Sequence, residues 1–198
     1  SSIAEKSFNI DGKSYTFPAD LSARVLITNG TINNVYGGND ISGTVYGGSA
    51  LEILHSINGE VYGGGNGSYV YTDNTALKDD ATYGDFYYNP GTSSIDALNA
   101  FRPNTSKTYI HLAGTETKPI TVRTVYGGGN STTVSDNISL RLGTYVTVDN
   151  IYLGSNGINM KAEETLQTFA DKDISSLNFK DGQGTFDKFM LGTAVSSQ

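Results

Sequence analysis

Val35-Tyr36-Gly37-Gly38 recurs as Val45-Tyr46-Gly47-Gly48, as Val61-Tyr62-Gly63-Gly64-Gly65-Asn66 and as Val125-Tyr126-Gly127-Gly128-Gly129-Asn130. A degenerate copy, Ile151-Tyr152-Leu153-Gly154-Ser155-Asn156, ends the series. The step from Val35 to Val61 is 26, and the step from Val125 to Ile151 is 26 again. The step of 64 from Val61 to Val125 is one stride of 26 plus an insertion of 38. Val45 falls within the first step, so it belongs to another side of the same unit. A second series keeps the stride. Val25-Leu26-Ile27 aligns with Leu51-Glu52-Ile53 one stride later, each at the same offset ahead of a Val-Tyr-Gly-Gly copy. Tyr109-Ile110-His111-Leu112 and Ile138-Ser139-Leu140-Arg141-Leu142 hold the corresponding place with looser spacing.

Self-similarity at a fixed period marks a repeat architecture. Each unit holds three short strands, near 25–28, 33–37 and 43–47 in the first unit, with Gly and Asn at the turns. One unit cannot bury its apolar face alone, so units stack ~4.8 Å apart and share an interior. The arithmetic is that of a parallel β-helix. A leucine-rich repeat needs a Leu consensus that is missing, and a propeller blade needs ~40 or more residues. An antiparallel sandwich also places strands ~10 residues apart but does not explain the repeated stride.

Composition agrees. Gly is 24 of 198 residues and Tyr 13, but charged residues are only 17%, so the glycines serve tight turns rather than a flexible linker. Twenty acidic against 13 basic residues give a net charge of -7. That argues against the basic face a nucleic-acid binder needs. Cys is absent, which excludes disulfides, thiolate metal sites and cysteine nucleophiles. Two histidines, His55 and His111, leave little for multi-histidine metal sites or histidine catalysis. No apolar run approaches the ~20 residues of a membrane span. A start at Ser1 without Met leads us to expect a mature or excised piece.

The Val-Tyr-Gly-Gly-Gly-Asn unit resembles the β-helical repeats of bacterial cell-surface proteins, notably adhesin-like proteins of gut Bacteroidetes. More distantly, the three-strand unit resembles the right-handed β-helix of the pectate-lyase-like superfamily. The resemblance covers about 24–157. It implies an all-β, single-stranded, right-handed parallel β-helix of about four to five turns with three strands per turn. It also implies an extracellular or bacterial cell-surface setting, held peripheral to the membrane by a larger protein or anchor, and contact with a glycan or a host or bacterial surface protein. It implies no particular reaction, because function belongs to sites rather than folds.

In the motif the β-branched Val or Ile suits an inward position, and the adjacent Tyr points the other way. Tyr36, Tyr62, Tyr126 and Tyr152 then form a vertical row. The row is either a platform on which sugars stack or a corner closing over the glycines. Arg123 and Asp149 on the Val side and Glu60 on the Tyr side leave the parity open. Asn66, Asn130 and Asn156 share one offset and read as a structural ladder, with Asp40 at the same place in the first unit, where an end cap would disrupt it.

The insertion, roughly 66–108, is credited with Tyr69, Tyr71, Tyr83, Phe86, Tyr87, Tyr88, Phe101 and Tyr109 at its end, and also with Asp73, Asp79, Asp80, Asp85 and Asp96. Insertions in repeat arrays map to one face, often the binding face. Carboxylates accept hydrogen bonds from sugar hydroxyls, and rings stack on sugar C–H faces. The candidate ligand-binding residues are therefore Tyr83, Asp85, Tyr87 and Tyr88 with Tyr36, Tyr62 and Tyr126; the alternative is a self-packed flap. Asp79–Asp80 or Asp73–Asp85 would serve as acid and base only at the proper separation. His111 reads as a half-buried structural residue and His55 as a bend residue. Gly64-Gly65-Asn66-Gly67-Ser68-Tyr69 begins like a calcium β-roll repeat, but Tyr69 replaces the ligand Asp. We assign no catalytic residue, metal or cofactor.

The ends read as caps: a hairpin over 7–17 around Asp11-Gly12 within 1–23, and over 158–198 a helix from Met160 to Asp171 followed by apolar cover from Phe179, Phe186, Phe189 and Met190. A second short helix is expected over Ser93 to Phe101. Three functions follow from these readings: a non-catalytic binding or adhesion module, a structural spacer of a larger surface protein, and a polysaccharide lyase or hydrolase.

Overall fold

The computed structural model describes residues 2–71, 87–88, 100–157 and 185–190. In chain order the strands are β1 (Lys6–Ile10), β2 (Lys13–Phe17), β3 (Ala23–Ile27), β4 (Asn34–Tyr36), β5 (Thr44–Val45), β6 (Ser49–Ile53), β7 (Ile57–Tyr62), β8 (Val70–Tyr71), β9 (Tyr87–Tyr88), β10 (Asn104–Thr105), β11 (Thr108–Leu112), β12 (Ile120–Tyr126), β13 (Thr133–Val134), β14 (Ile138–Leu142), β15 (Val146–Tyr152) and β16 (Thr185–Met190). The fold is all-β with parallel sheets. Sheet one is β3-β6-β11-β14, sheet two β4-β7-β12-β15-β16 and sheet three β5-β10-β13. Every neighbouring pair in these three runs parallel. The chain visits the sheets in rotation, and each pass lays its strand beside the previous one.

The repeat stride is the pairing register itself. Val35 pairs with Val61, Val61 with Val125, and Val125 with Ile151. Leu51 pairs with Val25 and with Ile110, which pairs with Leu140. Asn104 and Thr105 pair with β5 and β13, so they belong to sheet three although they fall inside the segment read as insertion. A two-residue strand without the Val-Tyr-Gly signature left no periodic trace.

Leu51, Ile53, Val61, Ile110, Val125 and Ile151 are fully buried members of one continuous core between sheets one and two. Burying each side chain contributes about 1.5–3 kcal/mol. On β12 both Val122 and Val125 point into this core, three positions apart, and the register on β7 shifts between Val122 and Thr124. That irregularity turns Arg123 outward, where it meets Glu60 at 3.6 Å, and resolves the parity left open by the sequence. The glycines set how close successive passes lie. A Cβ on Gly63 would stand 2.3 Å from the Gly127 carbonyl oxygen, and one on Gly127 would stand 2.3 Å from that of Leu153.

β1 and β2 form the expected hairpin, with Asp11 (φ 49°) and Gly12 (φ 80°) in the left-handed region that a two-residue turn requires. It lies across the outward face of sheet one, where Phe17 and Leu21 cluster with Ala50, Phe8 and Tyr109. Arg24 pins it by donating from Nη2 to the carbonyls of Ala4 (2.6 Å) and Pro18 (3.1 Å). At the other end the expected helix over 160–171 lies outside the described residues. The segment holding Phe186, Phe189 and Met190 is β16, a strand parallel to β15. Of the helix expected over 93–101, only Ala100 and Phe101 are described, and both are helical.

Candidate functional site

Two outward regions collect unusual side chains. The first is the tyrosine corner. Tyr36 stacks on Tyr62 with centroids 4.9 Å apart and planes 4° from parallel. Tyr62 stacks on Tyr126 (4.8 Å, 3°) and Tyr126 on Tyr152 (4.8 Å, 10°). The ring spacing equals the ~4.7–4.9 Å between strands, so strict register alone produces the stack. The rings turn their faces to one another. Tyr62 is 1% exposed and donates to Glu60 Oε2 at 2.6 Å. Burial first, then the Glu60 carboxylate, holds its phenol well above the usual range.

The asparagines form a ladder of the same kind. Asn156 Nδ2 donates to Asn130 Oδ1 (3.1 Å), Asn130 Nδ2 to Asn66 Oδ1 (3.0 Å) and Asn66 Nδ2 to Asp40 Oδ1 (3.0 Å). Asp40 does not disrupt the ladder but terminates it, because a carboxylate accepts and has no N–H to pass on. It also accepts from Tyr69 Oη at 2.7 Å. Burial and that bond push the Tyr69 phenol up to about 12.

The second region is a cleft of about 250 Å³ between the hairpin and sheet one. Register builds its floor: Glu52 pairs with His111 and His111 with Arg141, in an outward column that begins outside the cleft at Leu26. Lys13, Ser14, Tyr15 and Thr16 of β2 form the facing wall, and Tyr109 lies beside the column. Glu52 is 0% exposed. Its Oε2 lies 2.7 Å from His111 Nδ1, while its Oε1, equally buried, has no hydrogen-bond partner. Hydrogen-bonded to the carboxylate through Nδ1, His111 lines the cleft beside Glu52. Burial first, then the Glu52 charge, raises the phenols of Tyr15 and Tyr109, that of Tyr109 to about 12 against the pull of Arg141. Both therefore stay protonated donors at neutral pH. The cleft thus presents an acceptor in need of a donor, two phenols, a guanidinium and an ammonium.

Of the residues singled out from sequence, the structure brings Tyr36, Tyr62 and Tyr126 together, with their ring faces engaged by one another. Tyr46, in the copy on another side of the unit, is 86% exposed and outside the ladder. Tyr83 and Asp85 lie outside the described residues. The backbones of Tyr87 and Tyr88 pair in parallel with Val70 and Tyr71. Tyr109, counted with the insertion's aromatics, stands on β11. The cleft residues missed are Glu52, His111 and Arg141. Their signal was in the aligned triplets, where Leu26, Glu52, His111 and Arg141 share one column of otherwise apolar strands.

Among the described residues no group of three or more His, Asp or Glu is placed to hold a metal ion, and no helix is long and apolar enough to cross a membrane. No family model, curated protein or solved structure matches this chain.

Proposed function

We propose that this chain is a non-catalytic binding module of a bacterial cell surface, a right-handed parallel β-helix that contacts a glycan through the cleft under its N-terminal hairpin. The coil reading is supported by three parallel sheets visited in rotation, once in every repeat. The right hand is the one that ~98% of parallel crossovers adopt. The observation that carries the binding reading is Glu52, a buried carboxylate whose Oε1 has no hydrogen-bond partner, among the residues that line an open polar cleft. Leaving such a group unpaired costs about 1–3 kcal/mol or more, a cost that a hydroxyl-rich ligand offsets. This moves the contact from the tyrosine row to the cleft, with Tyr87 and Tyr88 of the insertion as a secondary contact.

A structural spacer is the second reading, favoured by the tyrosine ladder, whose ring faces are spent on one another. A microbial glycan array probed with the unaltered chain, Glu52→Gln, Arg141→Gln and Tyr88→Ala separates the two. The binding reading expects recognition that is lost with Glu52→Gln and Arg141→Gln. Recognition that survives both and disappears with Tyr88→Ala would move the contact to the insertion. No recognition anywhere on the array would favour the spacer.

A further inference from the structure

Resting on that glycan-binding reading, we infer that the cleft takes a zwitterionic sugar unit: an ammonium group for Glu52 and a carboxylate for Arg141 and Lys13. The floor column runs from acid to base along the stack, Glu52, then His111, then Arg141. The outer two stand two strand spacings apart, about 10 Å between backbones, with their side chains reaching into the same cleft. About 250 Å³ lies just under the ~300–1,000 Å³ of pockets for drug-sized ligands, room for one sugar ring rather than an oligomer.

Each end states its need separately. At the acidic end His111 satisfies Oε2, while Oε1 is buried without a hydrogen bond of its own, although the Tyr109 phenol is near enough to feel the carboxylate. A buried carboxylate is compensated better by a cation that also donates hydrogen bonds than by a neutral hydroxyl. A bare metal ion is disfavoured there, since the other charged side chains that line the cleft, Lys13 and Arg141, are positive. Beyond the acidic end a guanidinium from the floor and an ammonium from the facing wall line the cleft of a chain whose net charge is -7, so the local sign opposes the global one. Guanidinium groups pair with carboxylates in a two-point fork. A neutral sugar offers neither end a counter-charge, and a sugar with one charge offers it to one end alone.

Muramic acid, which carries an amino group and a carboxylate on one ring, is the probe. Its affinity for the full chain is measured by calorimetry beside glucosamine, glucuronic acid and glucose. The inference expects muramic acid to bind at least about tenfold tighter than either singly charged sugar. Glu52→Gln should erase the advantage over glucuronic acid, and Arg141→Gln the advantage over glucosamine. Equal affinity for muramic acid and one singly charged sugar would overturn it. If other sugars bind while muramic acid gains nothing, the zwitterion falls and the glycan reading stands; if no sugar binds here or on the array, both fall. Should Glu52→Gln fail to fold, the four-sugar comparison on the unaltered chain still decides.

Discussion

The tyrosine corner and the cleft are built on the same parallel register, yet one is closed and the other open. In the corner, identical residues stand above one another, so each ring and amide finds its partner in the next copy of itself. In the column that leads into the cleft, the equivalent positions hold Leu26, Glu52, His111 and Arg141, which cannot ladder. Repetition in this chain stabilises the stack. Departure from repetition, inside a repeated frame, is where binding chemistry has room.

Substitutions should separate the two regions by size of effect. The largest loss is expected for Tyr62→Ala, which empties a fully buried site between two rings. Chemical denaturation should show a loss of about 3–5 kcal/mol, as for other large aromatic truncations. A loss under about 1 kcal/mol would mean that the corner is not structural. Asn130→Ala removes both a donor and an acceptor of the amide ladder and should cost about 1–3 kcal/mol in the same assay.

A further effect is confined to alkaline pH. The phenols of Tyr62, Tyr69 and Tyr109 are held above their ordinary value of 10.0 in the folded state. A raised folded value contributes stability that is fully present below pH 10 and is lost as pH rises through the folded values, about 12 for Tyr69 and Tyr109. Thermal unfolding followed from pH 8 to 12 should show Tm falling above 10, and Tyr62→Phe should flatten that fall. A Tm independent of pH over the range would contradict the burial described for these phenols.

The smallest change is expected in the cleft. Glu52→Leu removes a buried carboxylate whose Oε1 is unpaired and whose partner His111 is partly exposed at the cleft edge. Stability should change by less than about 1 kcal/mol or rise. A loss comparable to that of Tyr62→Ala would make Glu52 a structural residue and remove the contrast.

The stride, the strands of sheets one and two from β3 to β15 and the asparagine ladder were legible in the sequence because periodicity reports stacking directly, whereas β16 read only as apolar cover. Thr105 and Val134 were not, since two-residue strands are too short to show a pattern. The tyrosine row was legible, but its use was not: whether a ring faces solvent or the next ring depends on register to within one strand spacing. The cleft was hidden for another reason. Glu52 is buried by a hairpin from a distant, earlier part of the chain, and no local pattern announces that Tyr15 and Lys13 stand opposite it.

The most direct test is an amide chemical-shift map of the unaltered chain titrated with the tightest-binding sugar from the array. The account predicts that shifts concentrate at Glu52, Tyr109, His111, Arg141 and the β2 residues Lys13 to Thr16, while Tyr36, Tyr62, Tyr126 and Tyr152 stay still. Shifts centred on the four tyrosines, with Glu52 and Arg141 silent, would contradict it.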